Sequence, residues 1–94
     1  MGRSWLFADP ENVAVLSTQK IVSGLSPILY VSHDEDDGMW QFLDGEDVRE
    51  EDALILGVKE MMDLDSSLIQ LADLPIGWVA WRQTKLNEWI REKR

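Results

Sequence analysis

The sequence predicts an α+β fold, in which a small, mainly antiparallel β-sheet carries two or three short helices packed on it. Three observations predict this class. The 94 residues suit a single domain covering 1–94, and 45% of them are hydrophobic, which suffices for one modest core. Short apolar runs bounded by turn-forming residues indicate strands. Apolar residues at helical spacing in the second half indicate the helices.

The N-terminal part predicts one strand and a brief helical turn. The apolar run from Val13 to Leu16 is typical of a strand. Ser17 is a candidate cap for a turn of helix over residues 20–22, and Gly24 would then end it.

A β-hairpin is predicted next. Residues 28–31 and 39–43 are two extended apolar runs, and the first of them is introduced by Pro27. Residues 34–38 between them are rich in turn formers, so an acidic turn is expected to close the hairpin. Residues 44–52 are polar and heavily charged, which predicts a loop.

The middle of the second half predicts one or two helical segments. Residues 53–58 fit either a strand or the entry to a helix, and the pattern leaves both open. A first helical segment closes at Leu64. A second is capped by Asp65 or Ser66 and ends at Pro75.

The C-terminal part predicts a strand followed by a helix. Residues 77–82 are apolar on both faces, which is typical of a central strand covered on both sides. Thr84 is expected to cap a C-terminal helix in which Leu86, Trp89 and Ile90 share one face.

Charge limits the classes of partner. Eighteen acidic and nine basic residues give a formal net charge of −9. Nucleic acids and anionic membranes are recognised largely through Lys and Arg, so neither is expected as a partner. A basic protein partner is favoured because charge complementarity accelerates encounter. The alternative is that the negative charge only maintains solubility. Ten of the eighteen acids lie in residues 34–52, which predicts a negative flank.

The compartment is expected to be the cytoplasm. The chain has no cysteine, which suits a reducing environment. Its N-terminal apolar run is too short for the core of a signal peptide, and no run approaches the roughly 20 apolar residues that span a bilayer.

No catalytic, cofactor-binding or metal site is predicted, and the protein is not expected to be an enzyme. Aligning the acidic turn with a calcium-binding loop puts His33 where the first aspartate belongs, and no helix is expected on either side. His33 is the only histidine, which excludes a multi-histidine zinc site. Neither a serine-nucleophile elbow nor a phosphate-binding loop is present.

Five tryptophans are a high number for this length. Most are expected in the core, since they have apolar neighbours on predicted elements. Tryptophan is also common at binding hot spots. Trp89 and Trp5 are the better candidates for exposure.

Residues 15–47 carry a series of short motifs in the sequence VLSTQKIVSGLSPILYVSHDEDDGMWQFLDGED. The motif positions are Ser17, Lys20, Ile21, Tyr30, Asp37, Gly38, Trp40, Phe42, Gly45, Glu46 and Asp47. This pattern resembles small bacterial domains grouped as immunity protein family thirty-three of polymorphic toxin systems. The later LADLPIGWVAWR corresponds to the closing strand of that family. Two positions depart from the pattern: Met39 separates Gly38 from Trp40, and His33 stands where an arginine is expected.

The resemblance implies a non-catalytic protein that neutralises a cognate toxin by binding it. Acidic loops would then occupy a basic toxin site. The residues implied to make these contacts are Asp34, Glu35, Asp36, Asp37, Asp44, Glu46, Asp47, Glu50 and Glu51, with Trp40 packed beneath them. One alternative is an adaptor that binds a host protein through the C-terminal helix and Trp89. The other is a small enzyme that uses carboxylates and a divalent cation.

Overall fold

The fold is built on one β-sheet. The computed structural model describes Phe7 and residues 9–94, and within these six strands form a sheet of order β4-β1-β3-β2-β5-β6. The strands are β1 Ala14–Thr18, β2 Tyr30–His33, β3 Trp40–Leu43, β4 Ala53–Gly57, β5 Trp78–Trp81 and β6 Ile90–Lys93. The β1–β3 pair is parallel and the other pairs are antiparallel. The predicted α+β class with a mainly antiparallel sheet is confirmed.

The helices are short. They are α1 Gln19–Val22, α2 Val58–Leu64, and the two 3₁₀ helices Glu50–Asp52 and Ser66–Leu71. Thr18, one residue after the predicted Ser17, caps α1 by accepting a hydrogen bond from the amide of Ile21 at 3.3 Å. Asp65 caps the second 3₁₀ helix, as predicted, through the amide of Ser67 at 3.0 Å. Residues 53–64, which the pattern left open, form a strand and then a helix.

The predicted hairpin is confirmed as β2 and β3. The turn is closed by the amide of Asp34, which donates to the Met39 carbonyl at 2.8 Å, and by the amide of Gly38, which donates to the Asp34 carbonyl at 2.9 Å. Gly38 has φ of +72°, a conformation that side chains with a Cβ rarely adopt.

The hydrophobic core lies against one face of the sheet, which we call the covered face. Val31 projects from this face and is paired with both Phe42 and Ala80, and all three are fully buried. The helical segments add buried side chains to the same cluster, namely Val58, Met61, Met62, Leu68 and Leu71. Burial of apolar area in this cluster is the main source of stability.

The other face of the sheet, which we call the open face, has no side chain in that cluster. Directly paired residues point to the same side of a sheet, so the register fixes its members. The larger apolar ones are Leu16, Tyr30, Leu43, Ile55, Val79, Trp81 and Ile90. The expectation that the fifth strand is covered on both sides holds at Val79, which is 6% exposed, and is wrong at Trp81, which is half-buried. Helical residues cover Ala80, and none in the cluster packs on the face of Trp81.

The predicted C-terminal helix is wrong. Thr84 and Asn87 close a turn instead, because the amide and hydroxyl of Thr84 donate to the Asn87 side chain at 3.0 and 2.9 Å. Leu86 is 97% exposed, so the predicted apolar helix face does not exist. The chain then enters β6, since the backbone edge of β5 offers hydrogen-bond partners that no local sequence signal reveals.

A buried ion pair joins the ends of several elements. The Arg82 guanidinium lies 2.8 Å from the carboxylate of Asp65, and these side chains are only 2% and 9% exposed. Arg82 also donates from Nε and one Nη to the Ile28 carbonyl at 3.1 and 2.9 Å, and to the Ser67 hydroxyl at 3.1 Å. Its guanidinium stands 4.0 Å from the ring centre of Trp89.

Asp65 is held in its ionised form. Burial by itself raises the pKa of this carboxyl, but hydrogen bonds from the Ser67 hydroxyl and amide, followed by the hydrogen bond and charge of Arg82, outweigh burial. The net result is a pKa below the ordinary aspartate value.

Removing Arg82 is expected to destabilise the protein strongly. Arg82→Met leaves the Asp65 carboxylate buried without its counter-ion, at a cost of about 3–5 kcal/mol in the free energy of unfolding. Arg91→Met is the matched control, since Arg91 pairs with Asp73 at the surface, and such pairs contribute less than about 1 kcal/mol. Urea unfolding followed by tryptophan fluorescence measures both. Equal losses for the two variants would contradict this account of the pair.

The lowered pKa of Asp65 predicts an acid-sensitive contribution to stability. Its folded-state pKa lies below its unfolded value of about 3.9, so the contribution is complete above that pH and is lost as the pH falls through the folded value. Urea unfolding of the native protein and of Asp65→Asn from pH 7 to pH 2.5 tests this. The difference in unfolding free energy between them should shrink below about pH 4. A difference that stays constant over this range would contradict the prediction.

Candidate functional site

The predicted acidic residues form two groups at opposite ends of β3. The hairpin patch comprises Asp34, Glu35, Asp36 and Asp37, in the turn before β3. The loop patch comprises Asp44, Glu46, Asp47, Glu50 and Glu51, in the segment after it. Four strand residues at about 3.3 Å each separate the patches by roughly 13 Å. The negative flank that is continuous in sequence is therefore divided in space.

Two residues of the hairpin patch are used to build the turn. Asp34 folds back onto the open face, where its carboxylate accepts hydrogen bonds from the Ser32 hydroxyl at 2.9 Å and from the Gln41 amide at 2.6 Å. The Asp37 carboxylate accepts the amide of Met39 at 2.9 Å. What remains for a partner is the pair Glu35 and Asp36, both exposed.

The loop patch has the same division of roles. The Asp44 carboxylate accepts the amide of Glu46 at 3.0 Å and lies 3.8 Å from the Lys20 ammonium. Glu46, Asp47, Glu50 and Glu51 are all exposed. Of these, Glu51 lies 3.7 Å from the Arg49 guanidinium, and both groups are open to solvent. Such a pair contributes little energy and leaves the carboxylate accessible.

Five carboxylates are fully available. Glu35, Asp36, Glu46, Asp47 and Glu50 are exposed, and their side chains make no hydrogen bond or ion pair in the described part of the chain. Two lie in the hairpin patch and three in the loop patch, and each patch contains an aspartate that fixes the local backbone. Their placement is therefore set by the fold, although they are not themselves needed to hold it.

Trp40 supports the hairpin from the covered face. It is 2% exposed, its ring stacks on that of His33 with centroids 3.9 Å apart, and its indole Nε1 donates to the carboxylate of Asp9 at 2.8 Å. His33 in turn has Nδ1 2.8 Å from the Leu74 carbonyl. A carbonyl only accepts, so this nitrogen carries the proton. Both rings serve packing; Trp40 is buried and His33 is half-buried.

The other tryptophans fall into three situations. Trp78 and Trp89 are half-buried and pack against the core, whereas Trp81 is half-buried on the open face. The indole Nε1 of Trp89 is buried and has no hydrogen-bond partner among residues 7 and 9–94. Trp5 lies outside the described residues. Trp81 is thus the tryptophan that sequence reasoning overlooked, since the alternation in residues 78–81 did not show which face is covered.

The hairpin patch borders an open depression of about 360 Å³, which Gln41, Gly77 and Arg94 also line. Arg94 reaches within 3.6 Å of the Asp34 carboxylate. Nowhere in the described residues do three or more histidine or acidic side chains converge on a point where a metal ion would sit. The arrangement offers fixed negative charge on an ordered scaffold, and this charge attracts cationic groups.

Comparison with known proteins adds no relative. Neither protein-family models nor curated proteins nor solved structures match this chain. The family resemblance of residues 15–47 therefore stays a prediction. Among the described residues, no helix has the length and apolar character needed to cross a membrane.

Asp34 is expected to stabilise the fold, whereas its neighbour Glu35 is expected to contribute little to stability. Asp34→Ala leaves the Ser32 hydroxyl and the Gln41 amide without an acceptor, which costs about 1–3 kcal/mol of unfolding free energy. Glu35→Ala removes an exposed carboxylate and should change stability by less than about 0.5 kcal/mol. Thermal and urea unfolding measure both variants. A Glu35→Ala loss as large as that of Asp34→Ala would refute this division of roles.

Proposed function

We propose that the protein binds a basic protein partner through the hairpin and loop patches, and that this partner is a toxin whose active site it blocks. The observation that carries the proposal is the set of five exposed, unpaired carboxylates in the hairpin and loop patches. A net charge of −9 adds a long-range attraction for any basic partner. The resemblance to immunity proteins supports the toxin as the partner.

Both patches fit within one interface. A standard interface covers about 800 Å² per partner, which corresponds to a surface roughly 30 Å across. The separation of the patches by the length of β3 is well inside that span. A partner that presents two groups of basic residues can therefore meet both patches at once.

The proposed mechanism is occlusion. Exposed carboxylates pair with Lys and Arg side chains of the partner, and their attraction raises the rate of association. A toxin that acts on phosphate-containing substrates needs such basic side chains at its active site, and the acidic patches compete for them. No chemical step by this chain is required.

The adaptor alternative loses its structural basis, since residues 90–93 form a strand where the C-terminal helix was expected. Trp89 is half-buried beneath Arg82 and does not project from a helix. Binding through the acidic patches remains the proposal that the geometry supports best.

Charge reversal tests the proposal. The tagged protein is used to capture a partner from its native lysate, and the partner is then purified for titration. Changing Glu35, Asp36, Glu46 and Asp47 together to Lys should abolish binding. The pairs Glu35→Lys with Asp36→Lys and Glu46→Lys with Asp47→Lys should each weaken it at least about tenfold.

The matched control carries the same change of charge elsewhere. Asp63→Lys with Asp73→Lys alters two exposed acids outside both patches and should change affinity by less than about threefold. Raising salt should weaken binding of the native protein more than that of the patch variants, because exposed charges are screened. Retention of full affinity by the fourfold variant would sink the proposal.

A further inference from the structure

The open face presents apolar side chains in two neighbouring rows. Leu43, Tyr30, Trp81 and Ile90 are directly paired across β3, β2, β5 and β6, so their side chains stand side by side. Leu16 and Ile55 are paired on β1 and β4, and because Leu16 is aligned with Gln41 they lie one row away from Leu43. We call these six residues, which belong to both rows, the apolar row. Six strands at a spacing of about 4.8 Å give the face a width of roughly 24 Å.

This row is accessible. Ile55 and Ile90, at its two margins, are 56% and 45% exposed, and the four residues between them are half-buried. None of the six belongs to the core cluster. A mainly apolar depression of about 440 Å³ lies beside Trp81 and Ile90. Clustered accessible apolar side chains that are rimmed by polar residues are a common mark of interaction sites.

Acidic residues border the row. Leu43 ends β3 directly before the loop patch, and Ala53 begins β4 directly after Asp52. The pairings Tyr30–Leu43, Trp81–Ile90 and Thr18–Ala53 place this end of all six strands together. Exposed acids of the loop patch therefore stand at the end of the sheet where the apolar row lies. An apolar centre with a charged rim is the usual anatomy of a protein interface.

Charge decides which occupant fits this surface. A second copy packed face to face would bring a further net charge of −9 against the first and set loop patches near one another. An anionic lipid surface would meet the same repulsion. A basic protein gains from both parts of the surface, since its cationic side chains meet the rim while its apolar side chains pack on the row.

We infer that the open face holds a basic partner protein, which packs apolar side chains on Tyr30, Trp81 and the rest of the apolar row. The inference rests on the proposed function for the identity of that partner, and it adds the surface to which the partner binds. The exposed acids govern the rate of association, whereas the apolar row governs how long the complex lasts. Aromatic side chains at the centre of an interface commonly contribute most of its affinity.

Site-specific photo-crosslinking in the native cell locates the partner. The photoreactive amino acid p-benzoylphenylalanine replaces Ile55, Ile90 or, as the control, Leu64. Leu64 ends α2, which packs on the covered face, and it is 44% exposed, which matches Ile90. The inference predicts adducts of one basic polypeptide at positions 55 and 90 and none at 64. An adduct of twice the chain mass, an adduct with lipid, or no adduct at 55 and 90 would overturn it.

Affinity of the purified crosslinked partner provides the second measurement. Ile55→Ser with Ile90→Ser should raise the Kd at least about tenfold, chiefly through faster dissociation. Leu64→Ser should leave the Kd unchanged. An equal Kd for the double variant and for Leu64→Ser would overturn the inference, as would sedimentation of the native protein as a dimer.

The two hypotheses fail in different ways. If charge reversal abolishes binding and the double serine variant binds fully, the acidic contacts are supported and the open face is contradicted as the binding surface. If charge reversal has no effect and the double serine variant binds weakly, the open face is supported and the acidic contacts are contradicted.

Discussion

The rest of the structure depends on one buried cation, the guanidinium of Arg82. Arg82 follows β5 directly and donates to the Ile28 carbonyl before β2, to Asp65 and Ser67 at the start of a 3₁₀ helix, and lies on the ring of Trp89 before β6. A buried charge is tolerated only when its hydrogen bonds are satisfied. The four segments that meet here can therefore shift only together. Apolar packing alone would not fix their relative positions so narrowly, because it has no preferred direction.

This constraint also explains why one face of the sheet stays open. Arg82 holds the 3₁₀ helix on the covered face and draws Trp89 to the core. Successive strand residues alternate between faces, so Ile90 is paired with Trp81 on the open side. The buried residues of α2 and of the second 3₁₀ helix all belong to the core cluster on the covered face. The apolar row is thus a consequence of the same connections that complete the core.

The sequence predicted what local chemistry determines. The acidic turn before β3, the cap at Asp65 and the strand of residues 78–81 carry their signals within a few residues, and each was found. The C-terminal helix was predicted wrongly because pairing of residues 90–93 with the free edge of β5 outweighs a weak helical pattern. The division of the acids was missed for a similar reason. Which of them support the backbone depends on partners such as Ser32 and Gln41, whose proximity follows from hairpin register.

The acidic patches show how a small domain prepares exposed charge for binding. Asp37 and Asp44 each accept the backbone amide two residues ahead, which orders the turn. Glu35, Asp36, Glu46 and Asp47 are then carried on backbone that is already fixed, so less conformational entropy is lost when a partner binds. Fixed charge alone gives fast but weak association, since exposed ion pairs are screened and each contributes little. A long-lived complex needs buried apolar area as well, and on this molecule Tyr30 and Trp81 offer such area at the end of the sheet where the loop patch lies.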